Sequence, residues 1–199
     1  TLNFLQSLTS PKIKVAPVLD GAINAAEWPQ APQAHLVETD THAFFAHDQT
    51  HLYIAARRTA PELSDKSLRR GKVTWTTQTK GEDAEVWKDD SFELFISDAK
   101  SSRILRIGAS LSGARFDALD GDTGWNGNWS HVAKADSNGL TLEMAIPWKL
   151  LLDSGFNRDQ LRINFQVNGE AGMSEALTYL GAGGRVQCTN FTPLGIGNV

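Results

Sequence analysis

The stretch VWKDDSFELFI, residues 86–96, attaches a tryptophan and three carboxylates to an apolar run. Phe92, Leu94 and Ile96 alternate with Ser91, Glu93 and Phe95, the period of a strand with one face in a core. Charge on such a strand must face away from the core or find a partner, because an unpaired buried charge is costly. The spacing therefore predicts a strand over 91–97 with Glu93 on its outer face. Trp87, Asp89 and Asp90 sit at its mouth.

The same alternation recurs along the chain. HLYIAAR (51–57) puts Leu52, Ile54 and Ala56 on one face; LTLEMAI (140–146) puts Leu140, Leu142, Met144 and Ile146 inward, with Thr141 and Glu143 outward. RINFQVN (162–168) puts Ile163, Phe165 and Val167 inward and Arg162, Asn164, Gln166 and Asn168 on the other side. Turns rich in Gly, Asn, Asp and Ser separate these runs, as expected of half-buried strands. After Pro147, the segment PWKLLLDSG reads as one short helix with proline in its first turn and Gly155 as its stop. Many strands, one short helix and no βαβ alternation predict an all-β chain folded as an antiparallel β-sandwich of the jelly-roll or immunoglobulin-like kind. At 199 residues, the chain is expected to be a single domain, 1–199. The polar, weakly patterned segment 61–86 reads as a long loop.

Composition removes several functions. The formal net charge of -4 offers no basic footprint for nucleic acid. No apolar run approaches the roughly 18 residues of a membrane span. The single cysteine, Cys188, excludes an internal disulfide and any cluster of cysteine ligands. The opening TLNFLQSLTSPKIKV lacks the charged start and small-residue cleavage site of a signal peptide. A mature or excised domain linked to others in a larger chain, with an extracellular or periplasmic home, fits these features. Six tryptophans against two tyrosines are more than a core needs.

A hairpin of 91–97 and 103–110, turning through DAKS (98–101), would set Ser97 opposite Ser102 and Glu93 opposite Arg106. Cross-strand partners share a side of the sheet. A strand running back to residue 87 would add Trp87 to that side. An aromatic plate, a carboxylate and a guanidinium around a shallow space suit a sugar: its C–H faces lie on the indole, and its hydroxyls donate to Glu93 and accept from Arg106. The plainer reading is an ordinary Glu–Arg pair on a solvated face, worth roughly 0.2–1 kcal/mol.

With these residues in view, the stretch resembles the W-x-D-D-S-x-E signature of family 9 carbohydrate-binding modules. Further pieces follow in the same order: VLDGAINAAEW (18–28), HDQTHLYIAARRT (47–59), GLTLEMAIPWKLL (139–151), LRINFQVN (161–168) and FTPLGIG (191–197). The resemblance implies a β-sandwich, often with structural calcium, that grips an oligo- or polysaccharide without cleaving it. Its best-known members hold the reducing end of a glycan between two tryptophans, as accessory modules of polysaccharide-degrading enzymes. By position, Trp87 resembles the first stacking tryptophan, Glu93 the hydroxyl-binding glutamate and Arg106 the arginine on the following strand. The second tryptophan has no counterpart in SEALTYLGAGGRVQCTNF (174–191), where Tyr179 is the nearest aromatic. Trp75 and Trp125 are the other candidates for a second wall, and Gln166 and Asn168 join as polar candidates. Trp28, Trp129 and Trp148 read as scaffold.

Asp20 and Asp90 are the candidate calcium ligands, with the acidic turn DALDGDTG (117–124) a third acidic feature. A haem-binding relative of the sandwich would need an axial methionine. Only Met144 and Met173 exist, and Met144 alternates inward, so no haem is expected. Asp89, Asp90 and Glu93 also admit a glycosidase acid–base pair, but no cleft-forming second domain accompanies them, and no enzyme is expected. A purely structural or adhesive sandwich domain stays open beside carbohydrate binding.

Overall fold

The computed structural model describes residues 8–60, 74–169, 173–178, 186 and 190–197. Among the described residues, twelve strands run in chain order: β1 (Leu8–Ser10), β2 (Ala34–Leu36), β3 (Thr41–His47), β4 (His51–Thr59), β5 (Ser91–Asp98), β6 (Leu105–Ser110), β7 (Arg115–Leu119), β8 (Ser130–Ala135), β9 (Gly139–Pro147), β10 (Leu161–Asn168), β11 (Ser174–Ala176) and β12 (Thr192–Ile196). A seven-stranded sheet takes the order β1-β12-β10-β5-β6-β7, with β11 also on β10; a five-stranded sheet takes the order β2-β3-β4-β9-β8. All pairings are antiparallel except β1 with β12. The predicted β-sandwich is the observed architecture.

The inward faces are those the alternation assigns. Phe92, Leu94, Ile96, Leu142, Met144, Ile146, Phe165 and Val167 are fully buried in one shared core. Trp129 and Trp148 belong to it too. The short helix α1 (Trp148–Asp153) follows Pro147, whose fixed φ of -59° suits the entry. Gly155, at φ +86°, turns the chain out of it.

Two smaller apolar groups lie on the outer faces. The N-terminal segment covers the five-stranded sheet, packing Trp28 with Ala46, Tyr53, Ala55 and Ala145. This cover changes the expected setting of Glu143: it points away from the main core as predicted, yet it is buried. Its oxygens accept hydrogen bonds from Trp28 Nε1 at 3.0 Å, Asp20 N at 2.9 Å and Gly21 N at 2.6 Å. Burial nonetheless outweighs these donors and pushes the Glu143 carboxyl up from its ordinary value. On the seven-stranded sheet, Val86, Ala114, Phe116 and Ala118 pack together, with Ala84 and Trp87 beside them.

The β5–β6 register differs from expectation. Glu93 pairs with Gly108, and Arg106 with Phe95, because the connection is longer than DAKS alone. The loop is anchored at its start by Asp98, whose side chain accepts from Lys100 N, Ser101 N and, far along the chain, Asn157 N. At its end, Asp120 accepts from Arg103 Nε and Ile104 N. These anchors delay β6 until Leu105. The offset is two residues, so facing is preserved and Arg106 stays on the side of Glu93.

The β3–β4 turn carries an acid-sensitive anchor. Burial acts to raise the Asp48 carboxyl pKa, but hydrogen bonds from the Thr50 amide, the Tyr53 hydroxyl, the His51 amide and the Thr50 hydroxyl win and bring it down to about 2. A depressed carboxyl stabilises the fold above its unfolded pKa of roughly 3.9 and loses that contribution as pH falls through the folded value. Between about pH 4 and pH 2, the gap in urea midpoint between the native protein and Asp48→Asn should therefore close. A gap independent of pH would show that the charge plays no part.

Candidate functional site

The outer face of the seven-stranded sheet brings together Trp87, Glu93, Arg106, Gln166 and Asn168. Trp87 is not part of the strand, as the simple hairpin picture required. It lies in a short 3-10 turn, Val86–Lys88, just before β5. The reason is the pair of aspartates behind it. Asp89 is buried and accepts from Gln78 N (2.7 Å), Thr79 N (3.0 Å to its nearer oxygen), Thr79 Oγ1 (2.6 Å) and Ser112 Oγ (3.3 Å). Asp90 accepts from Arg58 Nη1 and Thr76 N, both at 2.6 Å. Their carboxylates turn inward to tie down the preceding loop, and the chain becomes regular strand only at Ser91.

Beyond them the face is a continuous polar relay over aromatic rings. Glu93 is wholly buried. One of its oxygens receives both Arg106 Nε at 2.6 Å and Nη2 at 2.5 Å. The other accepts from Asn168 Nδ2 at 2.9 Å, and Asn168 in turn accepts from Gln166 Nε2 at 2.7 Å. Gln166 is the direct cross-strand neighbour of Glu93 on β10, as Gly108 is on β6. Gly108 has a packing reason: a Cβ there would stand 2.8 Å from Val86 Cγ2 and 3.1 Å from Glu93 Cγ.

Arg106 lies among aromatic rings. Its guanidinium carbon is 4.5 Å from the centroid of Trp87, 4.9 Å from Phe116 and 5.5 Å from Phe95. Trp87 meets Phe116 edge-on at 5.2 Å. The guanidinium is thus held by a buried charge and by cation–π attraction together, while 31% of the Arg106 side chain stays exposed. Trp87 also keeps part of its surface open. The result is a shallow platform with an aromatic ring, a fixed fork of N–H donors and the half-buried Gln166 amide. A hollow of about 740 Å³ lies elsewhere, between Lys12–Lys14 and residues 48–50.

The remaining candidates scatter. Trp75 packs against the main core, with the Arg58 guanidinium 5.6 Å from its ring. Trp125 also packs on the core, over Gly127, where a Cβ would lie 2.5 Å from Trp125 Cη2. Neither shares a hydrogen bond or ring contact with the Trp87 group among the described residues. Tyr179 lies outside the described residues. Phe95 and Phe116, which seat Arg106, were missed in the sequence; their outward parity beside Arg106 was the available signal.

Asp20 and Asp90 were the candidate calcium ligands. Calcium takes about six to eight oxygen ligands. Asp90 instead faces a guanidinium, which already supplies the positive charge. Asp20 accepts from the Ala22 amide in its own turn, and the carboxylate nearest its backbone, Glu143, is surrounded by N–H donors. The donor sets around these two residues do not fit calcium.

No protein-family model matches the chain, and no curated protein matches it. Solved structures do. A putative carbohydrate-binding protein from Bacteroides uniformis superposes with a TM-score of 0.62 at 12% identity, over 96% of this chain and 99% of its own. A family 9 carbohydrate-binding module from Caldicellulosiruptor kristjanssonii, in complex with cellotriose, gives 0.58 at 15% identity, over 98% and 95%. A family 9 module from the same organism in complex with glucose gives 0.55 at 14%, over 96% of each chain. At this identity the likeness concerns architecture: the chain has the β-sandwich fold of these carbohydrate-binding modules.

Proposed function

We propose that the chain is a non-catalytic carbohydrate-binding module whose ligand lies on the outer face of the seven-stranded sheet at Trp87 and Arg106. The observation that carries this reading is the partly open indole beside a guanidinium locked in place by buried Glu93. A sugar's C–H face covers the open part of the ring, and its hydroxyls accept from Arg106 and exchange hydrogen bonds with Gln166. Glu93 then acts from behind, orienting Arg106 and Asn168. The fold shared with modules that bind cellotriose and glucose makes β-glucan oligosaccharides the first ligands to test.

The carboxylates of the stretch support a binding role over a hydrolytic one. Asp89, Asp90 and Glu93 are all buried and engaged by N–H or O–H donors. With a polysaccharide as ligand, the reading carries an extracellular or periplasmic setting and linkage to a polysaccharide-degrading enzyme.

A glycan array followed by calorimetry tests the proposal. Charge-assisted hydrogen bonds contribute roughly 1.5–3 kcal/mol each, offset by lost ligand freedom. Micromolar to millimolar affinity without turnover is expected. Trp87→Ala should remove measurable binding while circular dichroism stays native. Equal affinity for free and reduced chain ends would place the ligand along the chain. An array with no binder, or unchanged affinity in folded Trp87→Ala, would overturn the proposal.

A further inference from the structure

A separate group of side chains lies at the edge of the five-stranded sheet. His35 on β2 and His42 on β3 are direct cross-strand partners. Their rings stack, with centroids 4.2 Å apart and planes 8° from parallel. Asp40, in the turn between the strands, brings Oδ1 to 3.1 Å from His35 Nε2. One ligand atom from each residue lies within 4.8 Å of the other two. We propose that His35, Asp40 and His42 form a binding site for a divalent transition metal ion of the zinc, nickel and copper class.

The donor chemistry selects the ion. Two imidazoles and one carboxylate suit borderline metals and leave a fourth tetrahedral position for water, whereas calcium takes only oxygen. Zinc ligands lie about 2.0–2.2 Å from the ion and so about 3.3 Å from one another. From 4.8 Å, the required movement is roughly an ångström per side chain. In the stack, the nitrogen lone pairs lie in parallel ring planes, so each ring must turn for them to converge. The soft terminal torsion of histidine permits this, and both His35 and Asp40 side chains are more than 40% exposed.

The backbone of the turn is already fixed. Glu175, reaching from β11, accepts from Glu38 N at 3.1 Å and Thr39 N at 2.7 Å. The Asp40 carbonyl accepts from Thr59 N at 3.1 Å. Asp40 has φ +44°, a left-handed conformation that aspartate tolerates better than most residues. The ligands are therefore carried on a frame that the metal need not organise. Exposed Arg57, on β4, is the register partner of His42 and brings an opposing charge near, and that charge also acts on Asp136. A bound ion would clamp β2, the edge strand, to β3.

The test is calorimetric titration of the tag-free chain with zinc chloride in a non-chelating buffer, together with melting curves. Saturable binding of one ion per chain and a melting temperature that rises with zinc and falls back with EDTA are expected. His42→Gln and Asp40→Asn should weaken zinc by at least about a hundredfold, the upper range for losing an outer-shell partner, and zinc should no longer raise their melting temperatures above their own metal-free values. Asparagine retains the left-handed turn, so Asp40→Asn tests the carboxylate and not the loop. His51→Gln, a histidine outside the group, should bind like the native chain, and excess calcium should not displace zinc. No saturable heat at millimolar zinc, native affinity in His42→Gln, loss in His51→Gln, or displacement by calcium would each overturn the proposal.

Discussion

Arg58→Ala is expected to lower the free energy of unfolding by about 3–5 kcal/mol, the cost of leaving one charge of a buried pair without its partner. Arg58 follows Ile54 and Ala56 on the inward side of β4 and is 4% exposed. It crosses from the five-stranded sheet to Asp90, which opens β5 of the seven-stranded sheet, at 2.6 Å. The side chains of the pair are 5% and 3% exposed, so solvent screens them little. Removing the guanidinium leaves the Asp90 carboxylate, among the described residues, with the Thr76 amide and takes the cation from Trp75. Urea denaturation of the single variants and of Arg58→Ala/Asp90→Ala would measure this. The double variant should lose clearly less than the sum of the singles, because it leaves no lone buried charge. Strict additivity would mean that the two residues act separately.

Phe165→Ala should cost a similar 3–5 kcal/mol through a different route, lost burial plus the cavity left behind. Phe165 is fully buried on β10 and stacks on Phe92 of β5, ring centroids 5.6 Å apart and planes 20° from parallel. Both strands are interior to the seven-stranded sheet, so no edge can relax to fill the space. Phe165→Leu should cost less, since most of the volume remains. Its neighbour Gln166 points to the opposite face, where it donates to Asn168, and Gln166→Ala should cost only about 1 kcal/mol, the net worth of one hydrogen bond. Equal losses at the two positions in denaturant melts would contradict the assigned faces.

This contrast between adjacent residues shows what local pattern encodes. Alternation assigns Phe165 inward and Gln166 outward because a strand has only two sides. The same rule places Arg106 on the side of Glu93 despite a wrong register: a two-residue offset exchanges partners without exchanging faces. Pro147 and Gly155 bound the helix through their own backbone preferences, which need no distant partner.

Other features have no local trace. The length of the β5–β6 connection depends on Asp98 meeting the amide of Asn157. Arg58 follows the inward parity, yet its charge argues against a core position until Asp90 is found 32 residues away. Glu93 reads as an exposed acceptor for a sugar hydroxyl; in the fold, Arg106 and Asn168 take its oxygens and bury it.

The sequence by itself determined the all-β class, the inward and outward faces, most of the core and the shared side of Glu93 and Arg106. These follow from side-chain periodicity and from the intrinsic preferences of proline and glycine, both properties of a few consecutive residues. Only the tertiary structure decided the register, the covering of Glu143 by the N-terminal segment, the inter-sheet tie of Arg58 to Asp90, and the setting of Arg106 among Trp87, Phe95 and Phe116. Each depends on groups far apart in the chain, and which donor meets which buried carboxylate is fixed only when the two sheets close on one core.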